Sequence, residues 1–248
     1  MDLLTRVHPV REALRARRRT LHALRVREPA PREAEPLIAL AREADVRVEL
    51  CSGQHLARGL PPGVKPQGFV LEAGPLPELE LGPLAALGKP GHRCIVALDG
   101  VEDPQNLGAI ARVALGAGAS GLLLTQRRSA PLSPAVSRAS AGAIEHLPVG
   151  RVVNLTRALG RLKELGFWVL AAEPSSGTDL FALDERFWRG DLVLVLGAEG
   201  RGIRHGLERA LDTPLTIPMA GDVASLNVAS AAAVILYEWV RRSRLSRD

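Results

Sequence analysis

Lysine is nearly missing from this sequence. Lys65, Lys89 and Lys163 are the only three, so 29 of the 32 basic residues are arginine. Cysteine is as scarce. Cys51 and Cys94 lie far apart with no CxxC spacing, which argues against a disulfide framework and against a zinc site. No apolar run reaches membrane-spanning length, because Gly, Pro or a charge interrupts the longest ones. The arginine-rich stretch from Met1 to Arg32 lacks the apolar core of a secretory signal. These absences make a cytoplasmic protein without membrane or metal the economical expectation.

What is present points elsewhere. A chain of 248 residues, 46% of them hydrophobic, can bury one large core or two smaller ones. The net charge is +5 and the isoelectric point is about 10.0. Arginine's planar fork binds phosphate at two points, which suits a nucleic-acid partner. A genome that favours Arg, Ala, Gly, Pro and Leu would produce the same bulk bias, so clustering carries more weight than the total.

Residues 1–32 carry nine arginines, among them Arg6, Arg11, Arg19 and Arg25, against Asp2, Glu12 and Glu28. Val10, Leu14, Leu21 and Leu24 can form a helix-spaced apolar stripe, followed by a strand at Val26. Glu35 to Asp45 reads as a second helix, and the stretches 46–50 and 66–72 read as strands. Together they make a small α/β domain over residues 1–74 whose basic face could dock on RNA. Pro and Gly crowd residues 75–91, the mark of a linker. A second domain then occupies 92–248. Its strands (94–98, 121–124, 168–171 and 192–196) alternate with helices, which implies a parallel sheet covered on both faces.

One pattern in this half can be set aside. Gly116-Ala117-Gly118-Ala119-Ser120-Gly121 fits GxGxxG, but it follows a helix and precedes a strand, the reverse of what dinucleotide binding needs. Its glycines read better as a helix end and turn.

Three other segments place polar groups at strand ends, where an α/β protein holds its ligand. The first is Asp99-Gly100-Val101-Glu102-Asp103-Pro104-Gln105-Asn106-Leu107-Gly108-Ala109-Ile110-Ala111-Arg112. Arg112 lies one turn from Gly108 and Gly116, so its guanidinium emerges beside little side-chain cover. Asn106 sits in the first helical turn, free to orient a ligand or to cap. The second segment is Leu196-Gly197-Ala198-Glu199-Gly200-Arg201-Gly202, where a carboxylate follows a buried strand among glycines. The third runs from a short strand, 215–219, through Ser225-Leu226-Asn227. Ser225 is a candidate helix cap. Asn227, in the first turn of an apolar helix, would be a buried amide in need of partners.

Taken together, these segments resemble the three motifs of the SpoU-type branch of the SPOUT RNA 2′-O-ribose methyltransferases. Arg138-Ala139-Ser140-Ala141-Gly142-Ala143 is similar to a further stretch of that family, and the likeness covers roughly 93–242. The first domain resembles the L30e-like substrate-binding domain of its ribosomal-RNA members. Pro66 departs from the His-Gln-Gly often seen in the bacterial guanosine-2′-O enzymes.

The resemblance implies an α/β fold: a parallel-sheet SPOUT domain with a deep trefoil knot, preceded by the L30e-like domain. It implies S-adenosyl-L-methionine held around Leu196, Gly197, Ile217, Met219 and Leu226. Arg112, Asn106, Glu199, Ser225 and Asn227 become the candidate catalytic residues. It implies a homodimer, with the helix from Leu226 to Val240 as the candidate surface. The family's proposed general base corresponds to Arg112, although a protonated arginine could equally bind phosphate and stabilise an oxyanion. The expected substrate is RNA, a guanosine of 23S rRNA or a large-subunit particle. Alternatives are a tRNA guanosine, an rRNA adenosine, or a non-catalytic RNA-binding assembly factor.

Overall fold

The computed structural model describes residues 1–173, 177–198, 202–204 and 206–245, with 244 and 245 as backbone only. Its contacts divide the chain into two compact units, Met1–Pro77 with Pro131–His146, and Glu78–Ala130 with Leu147–Asp248. The segment 131–146 thus belongs with the first unit, although its sequence neighbours on both sides lie in the second.

The first unit is built on a four-stranded sheet. In chain order its elements are β1 (Asp2–Leu4), α1 (Val7–Ala16), β2 (Leu21–Arg27), α2 (Glu35–Glu43), β3 (Arg47–Cys51), α3 (Gly53–Ala57) and β4 (Phe69–Ala73). The strand order is β1-β4-β2-β3, and β2 and β3 run parallel. Val10, Ala13 and Leu14 of α1 and Leu37 and Ala41 of α2 meet Leu24, Val26, Phe69 and Leu71 in one core.

The apolar stripe expected through Leu24 stops early. Arg17 takes a left-handed conformation (φ 48) and ends α1, so Leu21 and Leu24 pass into β2. Two arginines expected on a basic face are interior. Arg19 is 6% exposed and binds Asp2 at 2.8 Å and Glu145 at 3.1 Å. Arg25 is 4% exposed, pairs with Glu72 and donates to the carbonyls of His55 and Arg58. Both are structural charges, retained because each finds an opposite charge or a carbonyl in the interior.

Segment 131–146 carries α6 (Pro134–Ala139) and closes on Glu145. The Glu145 carboxylate is 1% exposed and accepts from Ser137 Oγ at 2.5 Å. Burial raises its pKa, partly opposed by Arg19.

The second unit is a seven-stranded, wholly parallel sheet ordered β7-β6-β5-β10-β8-β11-β9. It is built from α4 (Leu81–Ala85), β5 (Cys94–Asp99), α5 (Pro104–Ala117), β6 (Gly121–Thr125), β7 (Val149–Val152), α7 (Leu155–Glu164), β8 (Trp168–Ala172), β9 (Thr178–Asp179), β10 (Leu192–Gly197), β11 (Thr213–Thr216) and α8 (Val228–Leu245). The late strands β10 and β11 insert between earlier ones.

β10 is buried from Leu192 to Leu196, as a central parallel strand must be. Val193 and Val195 pack against Leu155, Leu159 and Leu162 of α7, so by strand alternation Leu192, Leu194 and Leu196 face the other side. Each fully buried Leu or Val is worth about 1.5–3 kcal/mol. The strand expected at 215–219 runs instead over Thr213–Thr216 and ends before Ile217. Gly118 caps α5 at φ 79, so those glycines do end a helix. Among the described residues no helix is long and apolar enough to cross a membrane.

Candidate active site

In an all-parallel sheet the strand C-termini share one edge, and the loops that leave it build the site. The loops after β5, β10 and β11 carry the three motifs.

After β5 the chain turns into α5. Asp103 is the cap, its side chain accepting from Gln105 N–H at 3.0 Å, with Pro104 in the first turn. Asn106 is therefore not the cap and keeps its amide for another partner. Three apolar positions, Leu107, Ile110 and Ala114, turn inward, which leaves Arg112 exposed. Leu115, on the same helix, is 36% exposed.

Helix α8 begins differently from expectation. Asn227 caps it, its Oδ1 accepting from Ala229 N–H at 2.9 Å and Ser230 N–H at 3.4 Å. Asn227 thus stands just before the helix and is exposed rather than buried, and Ser225 lies two residues further out, also exposed. The other end of the Asn227 amide donates to Asn106 Oδ1 at 3.0 Å. Further along, Tyr237 Oη lies 3.4 Å from the position a Cβ on Gly116 would take, at the same sequence offset of 121 residues. α5 and α8 therefore run side by side in the same direction, with their positive N-terminal ends joined by an amide pair.

After β10 the chain reverses sharply. Ala198 and Gly202 form a bridge, with Gly202 N–H donating to Ala198 C=O at 3.1 Å and Gly202 at φ 61. A Cβ on Gly197 would lie 2.2 Å from Gly202 C, so only glycine fits there. Glu199, Gly200 and Arg201 lie outside the described residues. Leu196 is buried behind this turn, and Gly197 is partly open.

Past β11, Ile217 and Leu226 are half-buried and Met219 is 38% exposed. The backbone of residues 218–226 forms no hydrogen bond to the backbone of another described residue. Backbone donors and acceptors there are open, beside apolar side chains. Among the described residues no cluster of His, Cys, Asp or Glu could hold a metal ion.

Known proteins are similar to this chain in sequence and fold. Residues 93–237 match the model of the SpoU rRNA Methylase family. Residues 7–79 match that of the RNA 2′-O ribose methyltransferase substrate-binding domain. The chain belongs to the SpoU methylase family. A Bacillus subtilis protein named for the TrmH family of tRNA/rRNA methyltransferases, YacO, is 35% identical over 85% of this chain and 83% of its own length. An uncharacterized tRNA/rRNA methyltransferase of Synechocystis is 42% identical over 73% of this chain, which spans 47% of that longer protein. The SpoU methyltransferase AviRb of Streptomyces viridochromogenes, crystallised with AdoMet, superposes with a TM-score of 0.81 at 25% identity. That superposition covers 98% of this chain and 90% of AviRb.

Two carboxylates at the strand ends are not among the candidate residues named above. Asp99, at the end of β5, is 1% exposed and takes Arg204 N–H at 2.9 Å and Arg204 Nε at 2.6 Å. Glu173, just past β8, accepts from Ile203 N–H at 3.4 Å. The available signal was a carboxylate directly after a wholly apolar run, in both places.

Proposed function

We propose that this SpoU family member transfers the methyl group of S-adenosyl-L-methionine to a ribose 2′-hydroxyl of RNA, at a guanosine of 23S rRNA. The observation that carries the reading is the Asn106–Asn227 bond. It ties the first and third motifs into one constellation at the strand C-termini, with Arg112 exposed further along the same helix as Asn106.

The residues present fit the cofactor. Leu196, Gly197, Ile217, Met219 and Leu226 combine apolar side chains, a turn without side-chain bulk and open backbone groups, which is what an adenosine needs. Bound there, the cofactor supplies an electrophilic sulfonium methyl.

The chain's own task is to hold the 2′-hydroxyl in line and manage its charge. Arg112 binds the phosphate beside the target ribose and stabilises the oxygen as it loses its proton. The Asn106 oxygen is occupied by Asn227, so Asn106 presents its N–H groups to the ribose. Ser225 is assigned to the same pocket, as is Glu199 on its motif alone. Positioning of this kind is worth about 7–11 kcal/mol at most.

The RNA is read by the first unit. Arg27, Arg32, Arg42 and Arg58 make no side-chain hydrogen bond or ion pair to a described residue, in contrast to Arg19 and Arg25. The chain works as a homodimer through α5 and α8, where Leu115 and Tyr237 are exposed at 36% and 54%.

The test is transfer of labelled methyl to separated, unmodified rRNA and tRNA, with the modified nucleotide mapped. Label on a 2′-O-methylguanosine of 23S rRNA is expected; label only in tRNA would overturn the substrate. Arg112→Ala should abolish transfer and leave cofactor binding intact, and near-normal activity would overturn its role.

A further inference from the structure

β10 is flanked by β5 and β8, and each neighbour ends in a carboxylate. Asp99 ends β5 opposite Gly197, and Glu173 follows the last residue of β8. Both reach to the same place, the limb that returns from the turn after β10. Ile203 N–H donates to Glu173 Oε1 at 3.4 Å, and Arg204 N–H donates to Asp99 Oδ2 at 2.9 Å. Arg204 also grips Asp99 Oδ1 through Nε at 2.6 Å and a terminal nitrogen at 2.5 Å.

Consecutive amides of one limb are therefore held by carboxylates from the two flanking strands. Glu173 does more. Its N–H donates to Leu215 C=O at 2.9 Å, and its own carbonyl accepts from Thr216 Oγ1 at 2.7 Å. It thus joins the turn after β10 to the start of the open stretch after β11.

Stability is a poor reason for Asp99. Its side chain is wholly buried behind an apolar strand, while Arg204 is 48% exposed. Desolvating a carboxylate to meet a half-solvated arginine gains little net energy. What the pair does gain is placement, since charge-assisted bonds are short and directional. The Ala198–Gly202 bridge ties this limb to the end of β10, so fixing residues 203 and 204 also fixes Gly202 against Gly197.

We infer that Asp99 and Glu173 are positioning residues for the reaction, clamping residues 202–204 against the end of β10, where Gly197 is placed to receive S-adenosylmethionine. The inference rests on the cofactor reading above. Neither residue contacts the reacting atoms; each acts through the backbone of Ile203 and Arg204.

The test uses the full chain with Asp99→Asn and Glu173→Gln, both isosteric, and Arg204→Lys, which keeps the cation. Hydrogen exchange reports on the amides of 202–204, calorimetry gives the S-adenosylmethionine Kd, and kinetics separate KM for cofactor from KM for RNA. Both isosteric variants should speed exchange at 202–204 and raise the cofactor Kd and KM about tenfold, the worth of one charge-assisted bond. KM for RNA should not move, and Arg204→Lys should show a smaller rise. Faster exchange with an unchanged cofactor Kd would overturn the inference, as would unchanged exchange. Parallel losses in both KM values and in melting point would show a structural role only and overturn it too. Asp99 is buried, so Glu173→Gln, at a partly exposed residue, keeps the test decisive if Asp99→Asn does not fold. A wild-type chain that does not bind S-adenosylmethionine would overturn the functional reading, and this inference with it.

Discussion

Replacing Asn227 should separate two tasks performed by one amide. Its oxygen caps α8 through Ala229 and Ser230, and its nitrogen orients Asn106 at 3.0 Å. A lost cap costs about 1 kcal/mol, and a lost neutral hydrogen bond costs about 1 kcal/mol more. Asn227→Ala should therefore destabilise by about 2 kcal/mol, lowering the melting midpoint of a chain this size by about 4–8 °C. Asn227→Asp keeps the cap and places a negative charge where a helix N-terminus favours it. It has no N–H to offer Asn106. That residue can restore the bond only by turning its amide over, which presents an oxygen to the ribose in place of N–H groups. The Asp variant should melt within about 3 °C of wild type and transfer methyl about a hundredfold more slowly, the usual cost of misplacement at a reacting centre. Thermal melting and initial rates of labelled methyl transfer read the two tasks independently. Full activity in the Asp variant would refute the amide orientation, and an unchanged midpoint in the Ala variant would refute the cap.

Other perturbations probe separate parts of the chain. Gly197→Ala would put a Cβ 2.2 Å from Gly202 C, so it should open the turn and abolish cofactor binding measured by calorimetry. Hydrogen bonds from Arg241, and then from Arg242 against the opposing effect of burial, hold the Glu238 carboxyl at about 2. Because that value is depressed from 4.5, its stabilisation is present at neutral pH and is lost as pH falls from 4.5 towards about 2. Glu238→Gln should lower stability at pH 7 and flatten that acid limb in denaturant titrations across pH. The Cys94 thiol is buried and pushed up to about 12, so in the native protein at pH 8 only Cys51 should react with a thiol reagent. Two rapidly reacting thiols would contradict the burial of Cys94.

Local chemistry made much of this protein legible from its residues. The unbroken run Leu192 to Leu196 reads as a central strand, because such a strand has no solvent face. Pro104 marked the start of α5 through its preset φ, while the cap is Asp103 and not Asn106. The motif residues could be named because their types and spacing resemble a family, with Arg112 exposed on the helix face expected for it. Sequence order could not show which motifs touch. Asn106 and Asn227 meet across 121 residues only because β10 and β11 insert between earlier strands and bring α8 alongside α5. Nor could periodicity tell which arginines are buried. Arg19 and Arg25 look like their neighbours in a basic run, and only the placement of Glu145 and Glu72 turns them inward. The same holds for Asp99. A single carboxylate after an apolar strand is ambiguous until the fold brings Arg204 to it from 105 residues away. Secondary structure follows from short-range sterics and solvation, which a sequence carries in place. Charge pairing acts through space, and only the folded chain determines which charges meet.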